Sequence, residues 1–251
     1  MCLANSPDIG PKEVHLQSQV TVQWLESILK GDVVGAAVED FRALEGHQGM
    51  TDRQRLQITW NKAGQDAGLP TAIFIKATPA TGLLRETCSM LHMADLESNI
   101  YNKLHKELKG LIRNAYYSRS YPGGRFIIVM EDITARGIKP HWMGDDCSVG
   151  YAFAVAKAQA QIHSRFLETE RFGNDLVWIR PRSSRYGETW LEDNFEHNRI
   201  KFLASKQAKT VSEYTRQAII LWQKHWRTIN RYCETLPATL PSWGLAPRQC
   251  A

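Results

Sequence analysis

The 251 residues contain no apolar run approaching the length of a membrane span, and no basic stretch leads into an apolar one at the N-terminus. That argues against a bilayer anchor and against a secretory leader. The expectation is a soluble, cytoplasmic protein with no membrane partner. Cysteine is sparse: Cys2, Cys88, Cys147, Cys233 and Cys250 are far apart, odd in number and form no Cys-x-x-Cys pair. Neither a disulfide framework nor a zinc site is indicated, and a reducing, intracellular setting is expected. Blocks of like charge are also missing. The formal net charge of +5 is carried by lysines and arginines scattered along the chain, so it implies no nucleic-acid partner. Internal repeats and low-complexity tracts are absent.

What is present is a globule-forming chain, 43% hydrophobic and long enough for one large domain or two lobes sharing a cleft. Val22, Leu25 and Leu29 have helical spacing, and Gly31 is placed to end that helix. Residues 36–60 read as two strands about a glycine-containing turn, with Leu56, Ile58 and Trp60 alternating in the second. "TAIFIKA", residues 71–77, supplies a third strand, which together with the first two makes an antiparallel meander. The period turns helical over residues 86–111, where Ala94, Glu97, Tyr101, Leu104, Leu108 and Leu111 share one face. Two more strands, "NAYYSRSY" and "RFIIVMED", flank the turn Pro122-Gly123-Gly124. Beyond Met130 the patterns are helical, in residues 148–166 and twice more in residues 192–233. The fold class expected is α+β: a sheet-bearing lobe over residues 1–130, a helical lobe over 131–240 joined to it near residues 130–137, and a proline-rich tail over 241–251.

Lys76 closes the third strand. A lysine at a strand end ordinarily snorkels to solvent. Here Ala72, Phe74 and Lys76 leave one face of an apolar strand, and a second charge, Glu97, lies on the inward stripe of the following helix. Leaving either ion buried alone costs on the order of several kcal/mol, so each needs a partner, and the other is the nearest candidate. Ideal helical geometry could instead rotate Glu97 to the edge of its stripe. The expectation is a Lys76–Glu97 ion pair.

A strand lysine held by a helix glutamate is how kinase folds present a lysine to nucleotide phosphates. The segments "LPTAIFIKATP", "LESNIYNKLHKEL", "GGRFIIVMEDITARG" and "AFAVAKAQAQIHSRF" occur in the order and at roughly the spacing of the aminoglycoside-phosphotransferase and choline-kinase-like superfamily. The chain resembles most its ecdysteroid-kinase-like (CHK kinase-like) branch, over about residues 31–241. That resemblance implies a protein-kinase-like two-lobe fold with a small antiparallel sheet. Its partners would be ATP with Mg2+ and a small hydroxylated acceptor. In it, Lys76 contacts the ATP phosphates, Glu97 orients Lys76, and Met130, Glu131 and Asp132 form the hinge that meets the adenine. The turn "EGHQGMTDR" lies where the phosphate-covering loop belongs. There Gly46 and Gly49 permit close backbone approach and Thr51 offers a hydroxyl, although a plain hairpin explains Gly49 equally well.

Other candidates are weaker. His163 is expected to pack, on a helix face shared with Val149, Phe153, Ala156 and Ala160. His141, Asp145, Asp146 and Cys147 have poor spacing for a metal. Trp178, Trp190, Trp222 and Trp226 read as core or groove lining. The superfamily's His-Gly-Asp loop and later metal-binding aspartate occur nowhere in the sequence, and after Leu240 it continues "PSWGLAPRQCA". The expectation is a C-terminally truncated family member without its Mg2+ ligands, inactive in phosphoryl transfer, with apolar helix surface left uncovered. A non-catalytic kinase-like binding module and an unrelated α+β protein are the alternatives.

Overall fold

The computed structural model describes residues 13–79, 82–139, 146–179 and 188–240. The chain divides into two compact units, one reaching His163 and the other running from Ser164 to Leu240. Together they make a mixed α+β architecture with an N-terminal antiparallel sheet and a C-terminal helical region. The expected join at residues 130–137 lies within the first unit, and the tail after Leu240 lies outside the described residues. Among the described residues, no helix is long and apolar enough to cross a membrane.

In the first unit α1 (Val22–Leu29) starts where the Thr21 hydroxyl accepts a hydrogen bond from the Trp24 N–H. It stops at Gly31, whose φ of 54° is the left-handed conformation that terminates helices. Five strands follow in sequence: β1 (Val38–Gln48), β2 (Asp52–Trp60), β3 (Ala72–Ala77), β4 (Ala115–Tyr121) and β5 (Arg125–Glu131). Three helices lie between them: α2 (Lys62–Asp66) after β2, then α3 (Gly82–Met90) and α4 (Met93–Lys103) after β3.

All pairings are antiparallel, but the order is β1-β2-β3-β5-β4. The first three strands form the expected meander. The crossover through α3 and α4 then delivers β4 to the far edge, so β5 is the strand laid against β3. This explains "FIIVM": a strand with neighbours on both sides and cover on both faces reads as a continuous apolar run rather than an alternation. Phe126 to Met130 are all buried. The edge strand β1 is mostly exposed and carries Glu39, Asp40, Arg42 and Glu45, charges that discourage edge-to-edge pairing.

One sheet face carries Ile73, Ile75, Val129, Ile127 and Leu56 and packs on Trp24, Leu25 and Leu29 of α1. α4 packs against β4 and β5.

The helix expected over residues 86–111 is two helices and a series of turns. His92, with φ of 49°, breaks it between α3 and α4, and α4 ends at Lys103. Ala94, Glu97, Tyr101, Leu104 and Leu108 are buried as the spacing implied, but beyond the helix the phase shifts and Ile112, not Leu111, enters the core.

α5 (Val149–Phe166) crosses the boundary between the units. Its buried positions are Ala158, Ile162 and Phe166, while Val149, Phe153, Ala156 and Ala160 are exposed. The face proposed for His163 is therefore corrected. Alanine is apolar on any face, so an Ala-rich helix is phased by its largest side chains, here Ile162 and Phe166. His163 itself is half-buried.

In the second unit, α6 (Glu188–Ala204) and α7 (Glu213–Glu234) are joined by an edge-to-face contact of Phe195 with Trp222, ring centroids 4.5 Å apart. Trp226 is buried, whereas Trp222 and Trp178 are not fully covered. The side chain of Trp190, together with His141 and Asp145, falls outside what is described. Asp146 and Cys147 are exposed.

Candidate functional site

The face of the sheet opposite α1 gathers the chemistry. In the antiparallel register Lys76 sits opposite Arg53 on β2 and opposite Ile128 on β5, while Phe74 sits opposite Arg55 and Met130. Directly opposed residues project to the same side. Arg53, Arg55, Phe74 and Lys76 therefore share one surface.

Over it, α4 presents Glu97. Its spacing from Ala94, Ile100 and Tyr101 keeps it on the buried stripe. Lys76 Nζ donates to Glu97 Oε2 at 2.5 Å, and both side chains are about nine-tenths buried. Sequence and structure thus bring these two residues together.

Cys88 of α3 lies close enough to feel both charges, and its thiol donates to the Met50 carbonyl at 3.0 Å. Burial raises the Cys88 pKa above its ordinary value, against the opposing pull of Lys76. This thiol ties the β1–β2 turn to α3. Within the turn, the Gly49 N–H donates to the Thr51 carbonyl at 3.2 Å, and Gly49 has no unusual φ. Thr51 is buried, and its hydroxyl accepts from Arg53 Nε at 3.4 Å. Gly46 marks a bulge in β1, where a Cβ would meet Gln54 Oε1 at 2.7 Å.

The end of β5 is more committed than a simple backbone hinge. Met130 is buried between Phe74 and Ala115. The Glu131 N–H donates to the Asn114 carbonyl at 2.9 Å, and its carboxylate accepts from the Asn114 N–H at 3.1 Å. Asp132 accepts from Arg55 Nε at 2.8 Å through one oxygen. Its other oxygen takes the Thr134 N–H and hydroxyl, capping the turn Ile133–Arg136. Burial alone would raise the Asp132 pKa, but the Thr134 and Arg55 hydrogen bonds outweigh it and hold the carboxyl below its usual range.

Three site residues escaped the sequence reading, Arg53, Arg55 and Arg113. Arg53 faces Lys76 across the ladder, and Arg113, just before β4, lies with its guanidinium 5.2 Å from the Phe74 ring centroid. The alternation of Leu56, Ile58 and Trp60 already put Arg53 and Arg55 on the opposite side of β2. Arg113 carried no periodic signal, because it sits in an irregular segment.

Among the described residues, no group of three or more His, Cys, Asp or Glu side chains is placed to hold a metal ion. Comparisons with models of known protein families, with curated proteins and with solved structures found no match to this chain.

Proposed function

We propose that the first unit is a kinase-like nucleotide-binding module of the aminoglycoside-phosphotransferase and choline-kinase type, and that this chain binds ATP without transferring its γ-phosphate. The observation that supports this reading is the buried Lys76–Glu97 pair on β3 and α4. A carboxylate at 2.5 Å fixes the ammonium against an apolar sheet, so the lysine's remaining donors are pre-aimed rather than mobile. Lys76 would meet the phosphates, with Thr51 and Gly49 in the turn beside it. Met130, Glu131 and Asp132 would flank the base. The engagement of the Glu131 N–H and the Asp132 carboxylate leaves other backbone groups of that segment to contact the adenine.

The family's activity, phosphorylation of a small hydroxylated acceptor, needs an aspartate beside the attacking hydroxyl and acidic or amide groups on magnesium. The sequence contains no His-Gly-Asp, and the described donor set does not fit a metal. No phosphoryl-transfer step is therefore assigned to these residues.

The test is calorimetric titration with a non-hydrolysable ATP analogue. Lys76→Met is expected to weaken binding at least tenfold, about 1.4 kcal/mol. A panel of hydroxylated acceptors incubated with ATP should yield no phosphorylated product. Equal affinity in parent and variant would remove the basis of the proposal.

A further inference from the structure

The sheet face around Lys76 holds more positive charge than its own carboxylates neutralise. Arg53, Arg55, Lys76 and Arg113 meet there. Glu97 pairs with Lys76, and Asp132 pairs with Arg55, whose guanidinium also approaches Glu45 at 3.8 Å. Arg53 and Arg113 make no ion pair among the described residues. The carboxylates nearest Arg113 are already engaged. Both Asp132 oxygens accept hydrogen bonds from Arg55 and Thr134, and Glu131 serves Asn114 and lies 3.7 Å from Arg136.

Arg113 is the more exposing case. Its Nε is shut away from solvent with no hydrogen-bond partner, and its guanidinium is set over Phe74. Burial depresses its pKa, against the opposing pull of Tyr101, Asp132 and Glu131, with Arg53 a smaller push in the same direction as burial. A half-buried arginine that keeps an orphaned donor and makes no ion pair is poorly explained by packing on Phe74 alone. An unsatisfied buried donor is a net cost.

We infer that Arg53 and Arg113 form an oxyanion site on the sheet face beside Lys76, built to take a phosphoryl group of a small phosphorylated ligand. Two cations without an ion-pair partner among the described residues match the charge of a phosphoryl dianion. The planar donor fork of arginine fits two of its oxygens. The Thr51 hydroxyl, accepting from Arg53 Nε, holds one fork in place, and the Phe74 ring supports the other. The inference goes beyond the nucleotide reading, because it concerns two arginines that reading does not use and a ligand that need not carry a base.

The experiment is titration of the full chain with inorganic pyrophosphate and, separately, with the ATP analogue. The parent is expected to bind pyrophosphate. Arg113→Gln and Arg53→Gln should each weaken it about tenfold, and the double variant about a hundredfold. Arg113→Lys, which keeps the charge and loses the fork, should recover only part of the loss. Ligand-free Arg113→Gln should melt close to the parent, because the cation it removes has no ion-pair partner and gives up only its contact with the Phe74 ring, whereas an arginine serving only packing would lower the melting temperature markedly. Absence of pyrophosphate binding, parent-like affinity in both Gln variants, or an Arg113→Gln destabilised well beyond the loss of one ring contact would each overturn the inference. ATP binding that depends on Lys76 but not on the arginines sinks this inference and leaves the nucleotide reading. Arginine-dependent pyrophosphate binding, with ATP bound no more tightly than pyrophosphate, does the reverse.

Discussion

Lys76 and Glu97 show how a buried charge depends on its partner. Removing one member leaves the other uncompensated in the interior, which costs about 3–5 kcal/mol, whereas replacing both with apolar residues of similar volume is close to neutral. Lys76→Met and Glu97→Leu are therefore each expected to be strongly destabilising in urea unfolding, and the double variant to recover most of the loss. Additive losses would show that the two ions do not depend on each other. The folded-state pKa of Asp132 lies below its ordinary value of 3.8, so its contribution is complete above that pH and is lost as pH falls towards the folded value. His15 is also depressed, from 6.5, first by burial and then by Arg125, so its contribution is complete above 6.5 and fades at milder acidity. Stability of the parent should thus fall in two windows on acidification. In Asp132→Asn, unfolding curves should be weaker at neutral pH and should lack the steeper fall below about pH 4. An unchanged acid limb in that variant would mean that other carboxylates set it.

The turn between β4 and β5 gives a sharper local test. Gly124 has φ of 70°, and a Cβ there would stand 2.7 Å from the backbone of Ser89 in α3. Its neighbour Gly123 has φ of 79° with nothing within 4 Å. Gly123→Ala should carry only the backbone penalty of roughly 1–2 kcal/mol. Gly124→Ala adds a collision with main chain that cannot rotate away, roughly 1–3 kcal/mol more. Denaturation midpoints that fail to separate the two variants would show that α3 shifts to accommodate a methyl. Elements of this kind mark where the sequence was readable. Strand periods exposed β2 and β3, the apolar run exposed β5, and the stripe through Ala94, Glu97 and Tyr101 gave the inward face of α4. The break at His92 was illegible because no glycine or proline marks it. The insertion of β5 between β3 and β4 was illegible because strand order is decided by the path of a crossover. The Lys76–Glu97 contact was legible, since two charges in apolar surroundings constrain each other. Arg113 was not, because its role depends on Phe74 being two residues before Lys76 and on a strand register that only folding reveals.

Across the molecule, stability should be distributed as unevenly as burial. Ile73, Ile75, Ile127, Ile128 and Val129 lie in β3 and β5, two of the three strands flanked on both sides, and all are essentially inaccessible. Amides there can exchange only when the first unit opens as a whole, whereas the edge strand β1 has one unpaired side and mostly exposed residues. The second unit is thinner. Along α7, Tyr214, Leu221 and Tyr232 are largely exposed, and Trp226 is its buried anchor. Hydrogen exchange followed by mass spectrometry is accordingly expected to rank β3 and β5 slowest, β1 faster, and α7 faster than the central strands by orders of magnitude. Because the units are separately compact, Trp226→Ala should speed exchange in residues 164–240 and leave β3 and β5 at their parent rates. A variant that accelerated all segments together would show a single cooperative unit. An oxyanion ligand binds only the folded first unit and raises its stability by mass action. Pyrophosphate should therefore slow β2, β3 and the segment around Arg113 while α7 stays unchanged. Protection appearing in α7 instead would place the ligand away from the arginines.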